Sequence, residues 1–272
     1  MSRRSNEGLK QKRSLGQVFL KVDWPVEKVC DRLKSWQVTR VLEIGPGGGV
    51  LTRGLLQAGF RVTAVEKDDR FVERLEDFMR SYQPSGRESL TIVNSDVTRF
   101  DLAEWLDSSG EPTAVVGNIP YNISSPILMW ILPYLHRLRG AELLVQLEFA
   151  QRLSATPSTK SYGSLSVYTQ LRAKVELECK VDRVCFKPIP RVDSALVTLQ
   201  PRVKLEDSKI LKHVESVTRL AFQQRRKKIR NSISQLFHDK LVGECPIDLE
   251  RRPDSFRPSE YVALAKYLYP AK

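Results

Sequence analysis

The feature that most constrains the fold of this chain is a regular alternation of strand-like and helix-like segments between residues 40 and 147. The short apolar runs with strand character are RVLEI, RVTAVE, LTIVNS, TAVVGN and AELLVQL. Helix-like segments lie between them, at Val50 to Ala58 and at Arg70 to Arg80. Parallel neighbouring strands need long crossover connections, which are usually helices. The alternation therefore predicts an α/β fold built on a mostly parallel sheet.

Two later segments complete the predicted sheet as its sixth and seventh strands. The runs AKVELECKV and DSALVTLQ alternate apolar and polar residues, which is typical of an antiparallel pair at a sheet edge. After Lys204 the pattern becomes helical, with turn signals at Gly243 and at Pro253 to Pro258. The sequence thus predicts two domains: residues 1–203, which hold the sheet and a basic N-terminal arm, and residues 204–272, a small helical domain.

An excess of basic side chains indicates a polyanionic partner. The chain has 44 Lys and Arg against 32 Asp and Glu, a formal net charge of +12. Net charge reports on what a protein associates with rather than on its fold. Nucleic acid is the expected partner, because its phosphates carry the opposite charge. The alternative, a basic protein that binds no polyanion, stays open until the charges are located.

Other patterns limit the compartment and the chemistry. The longest apolar stretch, at residues 128–135, is interrupted by Pro133 and is shorter than the roughly 18 residues that a membrane span needs. No apolar signal-peptide core follows the basic arm Arg3 to Arg13. The four cysteines form no C-x-x-C pair, and the three histidines are scattered. We therefore expect a cytoplasmic protein without a membrane segment, a metal site or disulfide bonds.

A glycine-rich loop follows the first predicted strand in VLEIGPGGGVLT. Glycine lets the backbone approach a ligand closely, and the next helix offers free N–H groups. The dinucleotide pattern G-x-G-x-x-G would need glycine at position 50, where Val50 stands, which weakens an NAD interpretation. Glu43 with the spacing Gly45-x-Gly47-x-Gly49 instead resembles motif I of S-adenosylmethionine-dependent methyltransferases. A purely structural turn is the alternative.

Acidic residues close the next two strands. Glu66 lies 21 residues after Gly45, close to the spacing of about 20 residues at which an acidic side chain binds ribose hydroxyls. Asp96 ends the third strand, where its carboxylate would accept a hydrogen bond from an adenine amino group. The alternatives are an exposed charge for Glu66 and a helix N-cap for Asp96.

The segment GNIPYNISSP places polar and aromatic residues directly after the fourth strand. Asn118-Ile119-Pro120-Tyr121 resembles the (Asn/Asp)-Pro-Pro-(Tyr/Phe) motif of enzymes that methylate exocyclic amino groups of bases. If the Asn118 side-chain oxygen and the Ile119 carbonyl accept the N–H bonds of an adenine N6, the nitrogen lone pair becomes a better nucleophile. Tyr121 offers a ring on which the base can stack. The alternative is an Asn-Pro turn with a buried tyrosine.

Two further segments are candidates for binding the substrate. Phe186, in CFKPIPRVDSA, is the candidate for a second stacking face, with a core phenylalanine as the alternative. The run AFQQRRKKIRNSISQLF is predicted to be one helix with an apolar side and a basic side. Its basic residues, which we expect to contact RNA phosphates rather than form a merely solvated face, are Arg225, Arg226, Lys227, Lys228 and Arg230.

Taken together, these motifs resemble the KsgA family of small-subunit ribosomal RNA adenine N6,N6-dimethyltransferases. The ordered segments that carry the resemblance cover nearly the whole chain: GQVFL, EIGPGGGVLT, AVEKD, NSDV, GNIPYNISSPIL, YGSLSV, FKPIPRVDSALV and AFQQRRKKIRNSI. The resemblance implies a Rossmann-like methyltransferase domain at residues 1–203 and an RNA- or ribosome-binding domain at residues 204–272. It also implies transfer of methyl groups from S-adenosylmethionine to two adjacent adenosines in the 3′-terminal hairpin of 16S RNA. The implied setting is a monomer that acts on a pre-30S particle.

The resemblance also implies a set of cofactor-site residues, and one departure from the family pattern lies among them. The implied cofactor residues are Val18, Leu20, Gly45, Gly47, Glu66, Asp96 and Asn118. The family usually has Gln-Asn-Phe-Leu where this chain has Gln17-Val18-Phe19-Leu20, so the side-chain hydrogen bond of that asparagine is absent. The backbone of Val18 can still contribute, and we expect weaker cofactor binding or compensation rather than lost function.

Three other functions remain as alternatives. The related resistance methyltransferases modify an adenine of large-subunit RNA and share the Asn-Ile-Pro-Tyr chemistry, but are expected to lack the QRRKKIRNS segment. A non-catalytic RNA-binding or transcription factor on the same fold would have no need for Glu66, Asp96 and Asn118. An NAD-dependent oxidoreductase is opposed by Val50 and by the Asn-Ile-Pro-Tyr segment.

Overall fold

The computed structural model describes residues 18–81, 89–203, 205–237 and 244–270, which form two compact units. One unit consists of residues 1–146 and 178–197, and the other of residues 147–177 and 198–272. This division differs from the predicted boundary at 203 and 204, because residues 147–177 have their contacts with the C-terminal helices. The basic arm predicted at Arg3 to Arg13 lies outside the described residues.

A seven-stranded sheet dominates the fold. Its strands are β2 (Arg40–Ile44), β3 (Arg61–Glu66), β4 (Leu90–Asn94), β5 (Thr113–Asn118), β6 (Gly140–Gln146), β7 (Ala173–Val181) and β9 (Ser194–Pro201). They lie in the order β4-β3-β2-β5-β6-β9-β7 across the sheet. The pairs β2–β3, β2–β5, β3–β4 and β5–β6 are parallel. The predicted α/β fold with a mostly parallel sheet is confirmed, and β7 lies at the predicted sheet edge.

The first unit also contains helices between these strands and a small second sheet. The helices are α1 (Trp24–Ser35), α2 (Val50–Gln57), α3 (Asp69–Ser81), α4 (Leu102–Asp107) and α5 (Ser124–Ile131). The helices predicted at residues 50–58 and 70–80 correspond to α2 and α3. The second sheet pairs β1 (Phe19–Leu20) with β8 (Phe186–Lys187) in antiparallel register. Two-residue strands have no periodic pattern, so the sequence did not predict this pair.

The second unit is mainly helical. Its helices are α6 (Leu147–Ser154), α7 (Ser164–Gln170), α8 (Ser208–Gln223), α9 (Ile229–Ser232) and α10 (Pro258–Leu268). They enclose their own apolar core, in which the rings of Tyr162, Phe256 and Tyr261 are fully buried. Over the described ranges, no helix has both the length and the apolar character that a bilayer crossing requires.

The prediction of a single helix through the basic run is wrong. Helix α8 ends at Gln223, a turn follows, and the short α9 begins at Ile229. The N–H groups of Ile229 and Arg230 donate to the carbonyls of Arg251 and Leu249. Because these donors bond to a distant segment instead of to carbonyls one helical turn back, the helix does not continue through the run.

Candidate active site

The glycine-rich loop joins β2 to α2 through backbone conformations that favour glycine. Gly45, Gly47 and Gly49 have φ angles of 61°, 49° and 75°, in the left-handed region. A Cβ atom on Gly47 would lie 2.7 Å from the ring of Phe19. The loop therefore needs glycine at these positions, and its close approach to a ligand stays a prediction.

Glu66 ties this loop to the end of β3. One carboxylate oxygen accepts a hydrogen bond from the Gly47 N–H at 3.0 Å, and the other accepts from Lys67 N and Asp68 N, both at 2.9 Å. The side chain is buried, which excludes the exposed-charge alternative. Burial raises the pKa of Glu66, and the three backbone donors oppose that rise. The oxygen bonded to Gly47 retains one acceptor position, so the carboxylate can still accept one hydrogen bond from a ribose hydroxyl.

Asp96 has contacts that match its helix-cap alternative. Its Oδ1 accepts hydrogen bonds from the backbone and hydroxyl of Thr98, at the start of a 3-10 helix over Val97–Arg99. Its Oδ2 binds the Lys67 ammonium at 2.9 Å. Lys67 and then Thr98 lower the pKa of Asp96 to about 2. A contact between Asp96 and an adenine amino group stays a prediction.

Asn118 ends β5 with its side-chain amide held in one orientation. Its Nδ2 donates to the backbone carbonyl of Val18 at 2.7 Å. Its Oδ1 is buried, and within the described part of the chain no hydrogen-bond donor reaches it. Buried acceptors are nearly always bonded, so an orphaned one in a residue that lines a cleft indicates a missing ligand donor. This oxygen is the atom that the sequence assigned to the adenine N6.

The two predicted stacking residues differ in their surroundings. Tyr121 is partly exposed at the start of a 3-10 helix, and its hydroxyl shares a 2.7 Å hydrogen bond with Ser194. Burial raises the pKa of Tyr121, so the phenol stays protonated at neutral pH. Phe186, in contrast, is 0% exposed and belongs to the apolar core of the first unit. Its prediction as a second stacking face is corrected here, because a fully buried ring presents no face to a base.

One cleft brings together most of the residues predicted to bind the cofactor or to act in catalysis. Predicted residues that line it are Val18, Leu20, Gly45, Gly47, Glu66 and Asn118. Asp96, Tyr121 and Phe186 do not line it. The carboxyl ends of β2, β3 and β5 therefore share one cleft, as expected for ligands at the carboxyl ends of parallel strands.

Two buried carboxylates at the cleft had no assigned role in the sequence. The register places Glu43 beside Val116 and Val116 beside Glu142, so both glutamates point to the same face of the sheet. Each is 1% exposed. Burial raises the pKa of Glu43 to about 8, an effect that Thr52 partly opposes. The guanidinium of Arg32 lies 3.6 Å from Glu142. The sequence did not single out Glu142, because its alignment with Val116 and Glu43 depends on how the strands pair.

The basic residues predicted to contact RNA differ in the protein groups that they bind. Arg225 donates to the carbonyls of Thr159 and Lys160 at 2.7 and 2.6 Å, and it also contacts Asp254. The other two ion pairs join Lys228 and Arg230 to Glu250. Over the described ranges, the exposed side chains of Arg226 and Lys227 have no carboxylate within ion-pair distance.

The sheet order, the glycine loop after β2 and the Asn-Ile-Pro-Tyr turn after β5 define the class of protein: a Rossmann-like methyltransferase. Across the described residues, no group of three or more His, Cys, Asp and Glu is placed to hold a metal ion. The family model for ribosomal RNA adenine dimethylase matches residues 8–268. The chain therefore belongs to the ribosomal RNA adenine dimethylase family, which confirms the family predicted from the motifs.

Relatives along the full chain carry the name ribosomal RNA small subunit methyltransferase A. The protein of Colwellia psychrerythraea is 32% identical over 269 residues, which cover 98% of this chain and 87% of the relative. That of Pectobacterium atrosepticum is 33% identical over 275 residues, which cover 100% and 99% of the two chains. These matches extend through both predicted domains.

Two solved structures have the same fold. The 23S rRNA methyltransferase ErmE has a TM-score of 0.68 and 28% identity, and the match covers 92% of this chain and 99% of ErmE. A dimethyladenosine transferase from Plasmodium falciparum has a TM-score of 0.71 and 24% identity, covering 90% and 95% of the two chains. Together with the parallel sheet, they confirm the predicted methyltransferase fold.

Proposed function

We propose that this chain transfers methyl groups from S-adenosylmethionine to the N6 atoms of two adjacent adenosines in the 3′-terminal hairpin of 16S RNA. The product is N6,N6-dimethyladenosine, formed during 30S subunit biogenesis. Membership of the ribosomal RNA adenine dimethylase family supports the reaction, and the full-length relatives named for the small subunit support the target. We further propose that the enzyme acts as a monomer on a pre-30S particle.

The observation that carries this proposal is the orphaned Oδ1 of Asn118 in the cleft. An adenine amino group is a poor nucleophile because its lone pair is delocalised into the ring. Hydrogen bonds from the amino group to Oδ1 and to the Ile119 carbonyl would favour a pyramidal nitrogen and a localised lone pair. The buried site makes each such bond stronger than it would be in water. Asn118 needs no protonation change for this role.

The cleft also fits the proposed methyl donor. S-adenosylmethionine supplies an electrophilic methyl group on a positively charged sulfonium. Glu66 would accept a hydrogen bond from a ribose hydroxyl, and the loop at Gly45 and Gly47 would lie against the nucleoside. The buried carboxylate of Glu66 gives the cleft a negative character when ionised, which suits a cationic ligand. Asp96 remains the proposed partner of the adenine amino group.

The target base must leave the RNA stack, because its N6 cannot be reached inside a duplex. Tyr121 is the proposed stacking platform, since its hydroxyl bond to Ser194 holds the partly exposed ring in place. The helical domain at residues 204–272 is proposed to dock on the RNA. Arg226 and Lys227 are the proposed phosphate contacts that have no competing ion pair in the described structure, while Lys228 and Arg230 would have to exchange Glu250 for phosphate.

The test is transfer of labelled methyl from S-adenosylmethionine to undermethylated small subunits, with large-subunit RNA in parallel and the modified base identified by mass. We expect N6,N6-dimethyladenosine in 16S RNA only. Label confined to large-subunit RNA would make the chain a resistance-type enzyme. Binding of the donor without any label would make it a non-catalytic assembly or transcription factor. Either of these two results would overturn the proposal.

A further inference from the structure

The side-chain amide of Asn118 can serve an adenine N6 in only one of its two orientations. Rotation of the amide by 180° exchanges the NH2 donor with the carbonyl acceptor. Only the orientation with Oδ1 in the cleft offers an acceptor to the amino group. The chain must therefore contain a group that selects this orientation before the base arrives, since reorientation during the reaction would weaken preorganised stabilisation.

The backbone carbonyl of Val18 is placed to make that selection. It lies 2.7 Å from Nδ2 of Asn118, although 100 residues separate the two positions in the sequence. A carbonyl is an acceptor only, so it attracts the NH2 end of the amide and repels the oxygen end. The bond thus leaves Oδ1 buried, and no donor among the described residues reaches it.

The segment around Val18 is anchored on both sides of this carbonyl. The Val18 side chain packs against the apolar core of the first unit. The Phe19 ring lies 5.1 Å from the Phe71 ring, centre to centre, and Leu20 pairs with Phe186 across the small sheet. The ring contact and the strand pairing hold the carbonyl in a fixed position. Further along the chain, the Lys21 N–H donates to the Cys185 carbonyl at 2.9 Å.

We infer that the Val18 carbonyl is a positioning group, which aims Oδ1 of Asn118 at the target amino group by accepting a hydrogen bond from Nδ2. The inference rests on the proposed function of Asn118. It gives the backbone at position 18 a role that does not depend on which side chain stands there. Val18 has no side-chain donor or acceptor of its own, so in this chain the backbone carries that role.

The Val18 carbonyl can be made a weaker hydrogen-bond acceptor without changing a side chain. The α-hydroxy acid analogue of phenylalanine, introduced at position 19 of the full chain, turns the Val18 carbonyl into an ester carbonyl, which is a poorer acceptor. The matched control is the α-hydroxy acid analogue of lysine at position 21. It also removes one backbone N–H, that of Lys21 directly after β1, which donates to Cys185, but it leaves the Val18 carbonyl intact.

We expect the position 19 ester to lower kcat by roughly two- to tenfold, the range for one hydrogen bond. The dissociation constant of S-adenosylhomocysteine should stay within about twofold, and the position 21 ester should keep kcat. The side-chain ¹⁵N–H₂ signal of Asn118, identified by its loss in Asn118→Ala, should have a downfield proton that moves upfield only in the position 19 ester. This signal tests the hydrogen bond independently of activity.

Each contrary result has a distinct meaning. An Asn118 proton without a downfield shift in the unmodified protein would overturn the inference, and so would equal losses of kcat in the two esters. An unchanged kcat despite the upfield movement would show that the bond does not position the amide for catalysis. Full activity of Asn118→Ala would instead overturn the proposed function of the asparagine, whatever the esters did.

Discussion

The substitution Glu43→Gln should make the stability of this protein less dependent on pH. Glu43 is 1% exposed, and its Oε2 atom has no hydrogen-bond donor within the described residues. Burial raises the pKa of its carboxyl from 4.5 to about 8. Glutamine has nearly the shape of the protonated acid but cannot ionise, so the variant removes only the titration.

The sign of the effect follows from proton binding. Between pH 4.5 and pH 8 the folded protein keeps the Glu43 proton, whereas the unfolded chain releases it. Since the folded state then binds more protons, the free energy of unfolding falls as the pH rises through this window. Each pH unit in this window changes the free energy of unfolding by about 1.4 kcal/mol. Titration of Glu43 therefore lowers the free energy of unfolding by about 3 kcal/mol between pH 4.5 and pH 7.

Urea denaturation of the donor-free protein at pH 5, 6, 7 and 8 measures this difference. The midpoint of Glu43→Gln relative to the parent should rise steadily across the series, with an unchanged slope m. An unsatisfied amide donor can shift all four midpoints together, so the trend with pH is the test and not the absolute value. The matched control is Glu104→Gln on the exposed face of α4. Midpoints of Glu43→Gln that run parallel to those of the parent would refute the reasoning.

Four further substitutions test other parts of the structure. Gly47→Ala combines a left-handed φ with a Cβ only 2.7 Å from the Phe19 ring. It should weaken S-adenosylhomocysteine binding by roughly tenfold in calorimetry. Unchanged affinity would contradict the proposed contact between this loop and the cofactor. Arg225→Ala removes hydrogen bonds to two backbone carbonyls and should lower the free energy of unfolding by about 0.5–1.5 kcal/mol. Arg226→Ala should keep the stability of the parent and reduce the salt dependence of RNA binding by about one ion, so an equal effect of both arginines would contradict the division between them. Asn118→Ala should lower kcat on the order of a hundredfold or more while circular dichroism and donor binding stay near those of the parent, and residual activity near normal would exclude its proposed role.

The sequence predicted well where local pattern and physical environment agree. The strands at residues 40–44, 61–66 and 113–118 were predicted with the bounds that the structure has. Buried parallel strands appear in a sequence as continuous apolar runs, and glycine marks the turn after the first of them. The residues at the strand ends share a cleft because parallel strands end at the same edge. Such features depend on neighbours in sequence and on a single topology.

The tertiary structure decided the features that depend on distant partners. The burial of Phe186, the bonding of Arg225 to the carbonyls of Thr159 and Lys160, and the break after Gln223 all involve segments tens of residues away. The same is true of the contact between Val18 and Asn118. An aromatic ring faces a ligand or a core, and an arginine binds phosphate or a carbonyl, according to which atoms surround the side chain and exclude water from it. Desolvation is set by packing across the whole fold, so the sequence determined which chemical groups this protein has, and the tertiary structure determined which of them remain free to act.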